Sequence, residues 1–159
     1  MGHVIIGAGA AGITAAKTIR RLQPEDEIVI LSEDRQISSR CLLHQYISGD
    51  RDERGLRFVP EGFIEVNRID WRAGVSVTAV DTEAKLVYCG DDAVGYDKLL
   101  VATGAQSIAL PVGALKTAPN VYGLRHFSDA QAIRETAGRA KRAVIIGAGL
   151  VGLDAAYAL

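Results

Sequence analysis

The stretch that decides the fold is Val4-Ile5-Ile6-Gly7-Ala8-Gly9-Ala10-Ala11-Gly12, VIIGAGAAG over residues 4–12. His3 to Ile6 is a short apolar run closed by glycine, the pattern of a buried parallel strand. From Ala10 the period changes. Ile13, Ala16, Ile19 and Leu22 recur at helical spacing, with Thr14, Lys17, Arg20 and Arg21 elsewhere, and Pro24 ends the run. Ile28–Leu31 is a second apolar strand. Strand, glycine turn, helix and strand within about 30 residues make one right-handed βαβ unit.

Each glycine of the turn has a physical task. Gly7 permits the tight turn, Gly9 lets the backbone approach a pyrophosphate, and Gly12 lets helix and strand pack closely, a contact that Ala16 extends. The backbone of Gly7, Ala8, Gly9, Ala10, Ala11 and Gly12 is therefore the candidate cradle for a dinucleotide. Its diphosphate would sit on free N–H groups at the positive end of the helix. Glu33 stands at the end of the second strand, twenty-one residues past Gly12. A carboxylate there can accept both hydroxyls of an adenosine ribose and would repel a 2′-phosphate.

The same nine-residue pattern returns as VIIGAGLVG at 144–152. It follows an expected strand at Ala143–Ile146 and opens another helix. Gly147, Gly149 and Gly152 repeat the spacing, with Ala156 again four residues on. Two such turns imply two dinucleotides, because one pyrophosphate needs only one helix N-terminus. The residue that would choose NAD or NADP should lie about 20 residues past Gly152, beyond Leu159.

Between the two repeats, Ser32–Trp71 is polar and irregular, with short helices expected around Leu42–Ile47. Val75–Val80 and Lys85–Tyr88 alternate and are joined by a turn, which predicts an antiparallel hairpin. A turn at Gly90–Asp92 leads into an expected buried strand at Tyr96–Ala102. Pro111 and Pro119 mark a crossing loop. Ser128 with Gln131 fits a capping box, so a helix is expected from there to about Gly138.

The chain has 159 residues, 48% hydrophobic and 23% charged, with a net charge of −1. A packed core is expected, and nothing points to nucleic acid or to an anionic membrane surface. The apolar opening lacks a basic leader and is broken by glycines, and no window supplies a membrane span. Cys41 and Cys89 stand far apart without metal-ligand spacing, so no metal site and a reducing, cytoplasmic setting are expected.

These features resemble the FAD-dependent pyridine nucleotide–disulfide oxidoreductase superfamily. The resemblance rests on GAGAAG with Glu33, TAVD at 78–81, YDKLLVATGA at 96–105, GLRHFSDAQAI at 123–133 and VIIGAGLVGLDAA from 144. It implies an α/β fold: a Rossmann-like FAD-binding domain with a parallel sheet and a β-hairpin or meander at 1–110, a crossover segment at 111–141, and the start of a second Rossmann domain, for NAD(P), at 142–159. By resemblance the first turn holds the ADP part of FAD, Val80 meets the adenine through its backbone, and Ala102-Thr103-Gly104 packs near the flavin. The second turn holds NAD(P)H.

SSRCLLHQYISG at 38–49 is similar to the NADH-binding module of the nitrite reductase large subunit and to the rubredoxin and ferredoxin reductases. In these an arginine, here matched by Arg40, lies by the flavin; Cys41 replaces their proline, and Gln45 their lysine. The residue five past Cys41 is Tyr46, so a CxxxxC dithiol is excluded.

Three functions follow. The first is an FAD-dependent NAD(P)H oxidoreductase that passes electrons to a protein, domain or small-molecule acceptor. The second is a single-cysteine NADH oxidase or peroxidase, or coenzyme A-disulfide reductase, with Cys41 as the redox group. The third is a non-catalytic dinucleotide-binding fragment. A homodimer of the full-length protein stays open. Taken alone, the 159 residues are expected to bind FAD weakly and not turn over. His3, His44 and His126 carry no partner that sequence can name, Arg125 is expected to pin a loop, and Trp71 to anchor the core.

Overall fold

The computed structural model describes residues 1–108, 112–116 and 118–159. In chain order its elements are β1 (Gly2–Ile6), α1 (Ala10–Leu22), β2 (Glu27–Ser32), α2 (Leu43–Ser48), α3 (Phe63–Val66), β3 (Ile69–Ala73), β4 (Ala79–Asp81), β5 (Leu86–Cys89), β6 (Asp92–Gly95), β7 (Lys98–Val101), α4 (Phe127–Ala137) and α5 (Leu150–Ala158). They fall into two compact units. The first joins Met1–Ile37 to Phe58–Gly104, and the second joins Ser38–Arg57 to Ala105–Leu159.

The first unit is built on a four-stranded parallel sheet of order β3-β2-β1-β7. Because successive side chains of a strand face opposite ways, the isoleucine-rich strands cover two cores at once. Ile5, Ile28 and Ile30 face Ile13 and Ala16 of α1. Val4, Ile6 and Leu31 face Val87 and Val94 of a three-stranded antiparallel sheet of order β4-β5-β6. Helix, parallel sheet and antiparallel sheet therefore form three layers. Burying each such aliphatic side chain contributes about 1.5–3 kcal/mol, which explains why the central strands are apolar throughout.

The expected βαβ unit is present, and α1 ends before Pro24. Several expectations need correction. The segment to Trp71 is not wholly irregular: Ile69–Ala73 pairs in parallel with β2. The expected hairpin or meander is present as a three-strand meander, with strand bounds shifted to Ala79–Asp81 and Leu86–Cys89 and with Asp92–Gly95 added to β5. The strand before Thr103 is an edge rather than a buried strand, leaving Leu100 and Val101 exposed at 39% and 62%. Residues 143–146 form no strand, and Val144 and Ile146 are exposed. A strand requires a neighbour to pair with, and no described segment pairs with this one.

In the second unit α2 and α4 share a small core of Leu43, Ile47, Leu56 and Ala130. Tyr46 meets Phe127 edge-on with ring centroids 4.8 Å apart, and the Arg134 guanidinium lies 4.8 Å from the Tyr46 centroid. The cap of α4 is not Ser128 with Gln131. His126 is the N-cap, and its N–H and that of Arg125 donate to Asp129 Oδ2 at 2.7 and 2.8 Å. Pro111 lies outside the described residues. No helix among the described residues is long and apolar enough to cross a membrane.

Candidate functional site

The first glycine turn is clamped by the ends of three strands. Gly7 N–H donates to Leu31 O at 2.8 Å, and Ala102 N–H donates to Ile6 O at 2.8 Å. Gly7 has φ +110°, and a Cβ there would stand 2.4 Å from the Ala102 carbonyl oxygen. Only glycine satisfies both conditions. A Cβ on Gly12 would stand 1.9 Å from Gly7 O, so the third glycine sets how closely α1 approaches β1. Ala8 is buried in the core, while Ala10 and Ala11 are exposed.

Gly9 caps α1 with ordinary extended backbone (φ −75°, ψ −175°) and accepts from Ile13 N–H at 3.0 Å. No side chain caps the helix, and its first turn holds no acidic residue. The opening N–H groups of a helix have no intrahelical acceptor, and a Cβ on Gly9 would meet nothing within 4 Å. An open, uncapped, positively polarised helix end fits a diphosphate.

Glu33 is exposed, one residue past β2. Its Oε1 accepts a hydrogen bond from Ser76 Oγ at 3.0 Å. Sequence reasoning missed Ser76, and no motif marks it. Val80 lies in β4 opposite Val87, 38% exposed. Ala102, Thr103 and Gly104 leave the end of β7, beside β1. The first unit thus gathers the cradle, Glu33, Val80 and the 102–104 turn in one body.

The second turn copies the first in its local geometry. Gly147 has φ +113°, Gly149 caps α5 with φ −75° and ψ 173°, and Leu153 N–H donates to Gly149 O at 3.0 Å. A Cβ on Gly152 would stand 2.1 Å from Gly147 O. One difference remains: a Cβ on Gly147 would meet nothing within 4 Å. The turn lies in the second unit, as do Arg40, half-buried at the start of a 3-10 turn (Arg40–Leu42), and Cys41, whose thiol is free and exposed.

Several of the remaining candidates have structural partners. His3, buried in β1, meets Asp26 Oδ2 through Nε2 at 2.8 Å, and this hydrogen bond, helped by the N-terminal amine, holds the Asp26 carboxyl below its ordinary value. His44 is half-buried on α2 with Nδ1 3.7 Å from Asp154 Oδ2 of α5. Arg125 Nε donates to Ala105 O at 2.8 Å, so it pins a loop as expected. Burial pushes the Cys89 thiol up. Trp71 packs against the core, its Nε1 without a hydrogen-bond partner. Among the described residues no cluster of His, Cys, Asp or Glu could hold a metal ion.

Comparison with known proteins gives a consistent result. The family model described as "Pyridine nucleotide-disulphide oxidoreductase" matches residues 1–159. The chain is 31% identical to the NADH oxidase of Methanocaldococcus jannaschii, over 100% of this chain and 38% of that protein. It is 34% identical to the assimilatory nitrate reductase electron transfer subunit of Bacillus subtilis, over 98% of this chain and 20% of that protein. The crystal structure of NADH:rubredoxin oxidoreductase from Clostridium acetobutylicum superposes with a TM-score of 0.85 at 27% identity, over 99% of this chain and 42% of that one. The chain thus spans about two fifths or less of the length of these relatives.

Proposed function

The chain belongs to the pyridine nucleotide-disulphide oxidoreductase family, and from that premise we propose that it is the front part of an FAD-dependent NAD(P)H oxidoreductase. The observation that carries this proposal is the pair of glycine turns. Two uncapped helix ends of matching backbone geometry in one chain supply two diphosphate cradles.

In this proposal the first cradle takes FAD. The N–H groups at the start of α1 bind its diphosphate, Glu33 accepts from the adenosine ribose, the Val80 backbone meets the adenine, and the Ala102–Gly104 turn packs near the flavin. The second cradle, Gly147, Gly149 and Gly152, takes the diphosphate of NAD(P)H. The chemistry that bound FAD supplies is acceptance of two electrons from NAD(P)H and their release to an acceptor. The protein's part is binding and orientation, so no acid–base side chain is required of this chain. The acceptor is a redox protein or domain, or a small molecule. The names of the electron transfer subunit and the rubredoxin oxidoreductase favour a redox-protein acceptor, that of the NADH oxidase a small-molecule one, and Cys41 is assigned no role.

The test is direct. The full protein should purify yellow, release stoichiometric FAD on denaturation, and lose its flavin absorbance when NADH or NADPH is added without oxygen. A correctly folded full protein that binds neither FAD nor ADP would overturn the proposal.

A further inference from the structure

After β3 the chain folds back onto the end of β2 at three successive points. Gly74, with φ +73°, turns the backbone under the Arg35 side chain, whose Cζ lies 3.2 Å from where a Cβ would stand. Val75 N–H donates to Ser32 O at 2.8 Å, carrying the sheet pairing one step past Ala73. Ser76 Oγ then donates to Glu33 Oε1 at 3.0 Å. Two residues on, Thr78 N–H donates to Tyr88 O at 2.9 Å, which ties the same segment to the antiparallel sheet. Main-chain hydrogen bonds therefore hold the backbone on both sides of Ser76.

Glu33 lacks such support. It is exposed, sits past the end of its strand, and has three rotatable bonds that a ligand would have to freeze. A hydroxyl donating to an ionised carboxylate is a charge-assisted bond, stronger than a neutral one. Among the described residues nothing engages Oε2. We propose that Ser76 is a positioning residue for nucleotide recognition: it holds one Glu33 oxygen so that the other is presented to the adenosine ribose, and it thereby sets the preference for ribose over deoxyribose. This inference rests on the assignment of the first cradle to an ADP-containing cofactor. It adds that the specificity of the acid is set by a hydroxyl forty-three residues away in sequence.

The experiment is calorimetric titration of the flavin-free full protein with ADP and with 2′-deoxy-ADP. The parent should prefer ADP. In Ser76→Ala, affinity for ADP should fall about three- to tenfold while that for 2′-deoxy-ADP, which keeps only the 3′-hydroxyl, should fall distinctly less, as expected for one charge-assisted hydrogen bond that acts only through the ribose. Ser76→Thr, which keeps the hydroxyl, should retain the preference. In a Glu33→Gln background the serine substitution should change little more. A general structural effect would weaken both nucleotides alike. Equal losses for the two nucleotides, or an unchanged preference in Ser76→Ala, would overturn the role of Ser76 and leave the cradle assignment standing. A parent protein that binds neither nucleotide would instead remove the cradle assignment itself.

Discussion

Alanine at Gly9 and alanine at Gly12 should damage the protein in different ways, and the structure gives the size of each effect. At Gly9 the backbone is ordinary for any L-residue, and the added methyl meets nothing within 4 Å. Alanine is a poorer N-cap than glycine by about 0.5–1 kcal/mol, while the less flexible unfolded chain returns about 0.4–1 kcal/mol. The two nearly cancel, so the melting temperature should move by less than about 4 °C. The methyl does occupy the approach to the α1 N–H groups. Losing two hydrogen bonds to a charged diphosphate, at about 1.5 kcal/mol each, weakens FAD binding at least about 100-fold.

At Gly12 the methyl would stand 1.9 Å from Gly7 O, where real contacts begin near 3.0 Å. The helix start must therefore retreat by at least about 1.1 Å, the difference of those distances. Such a shift in a packed core costs about 3 kcal/mol, which lowers the melting temperature by about 6–12 °C. Thermal unfolding monitored by circular dichroism, together with FAD titration followed by fluorescence quenching, separates the two. A Gly9→Ala protein that binds FAD like its parent, or that unfolds as early as Gly12→Ala, would refute the reasoning.

Four further outcomes follow from the same geometry. Arg20 donates through its guanidinium to the carbonyls of Asn67, Asp26, Pro24 and Arg68. Arg20→Ala should cost about 2–3 kcal/mol in denaturant unfolding, since it strands several acceptors at the base of the sheet. Asp26 is held below its ordinary value of 3.8, first by His3 and then by the N-terminal amine. Its stabilising contribution is complete above pH about 4–5 and is lost as pH falls through the lowered folded value, so Asp26→Asn should flatten the acid limb of a stability–pH profile. Iodoacetamide should label exposed Cys41 well before Cys89, whose thiol is raised by burial. Flavin reduction by NADH should look the same in Cys41→Ser, whereas a charge-transfer band that vanishes in that variant would assign the thiol a redox role.

Much of the first unit could be read from the chain because its signals are local. The isoleucines of β1 and β2, the helical spacing from Ala10 and the glycine pattern each report on neighbours within a few residues. β3 was also legible in principle: Ile69-Asp70-Trp71-Arg72 alternates, with Ile69 and Trp71 packed against the core and Asp70 and Arg72 more exposed. Its shortness, inside a polar stretch, hid it. The α4 cap was misread because His126 is a rarer cap residue than Ser128, and the decisive bonds run from backbone N–H groups to Asp129. The partners of His3, His44 and Glu33 were not legible at all. Each comes from a different element, brought near only by folding.

The two glycine turns show where local instruction ends. Their shared pattern yields φ of +110° and +113° at the first glycine and the same −75° at the cap. Nine residues are enough to write the turn. Yet Val4–Ile6 is a central strand and Val144–Ile146 is no strand, although both read Val-Ile-Ile. The difference is that β1 finds β2 and β7 on either side, while the later segment pairs with nothing described. The same division separates a cradle from a selective site. A bare turn offers N–H groups to any diphosphate. What distinguishes the first turn is what arrives from elsewhere in the chain: Ala102 against Gly7, and Ser76 against Glu33.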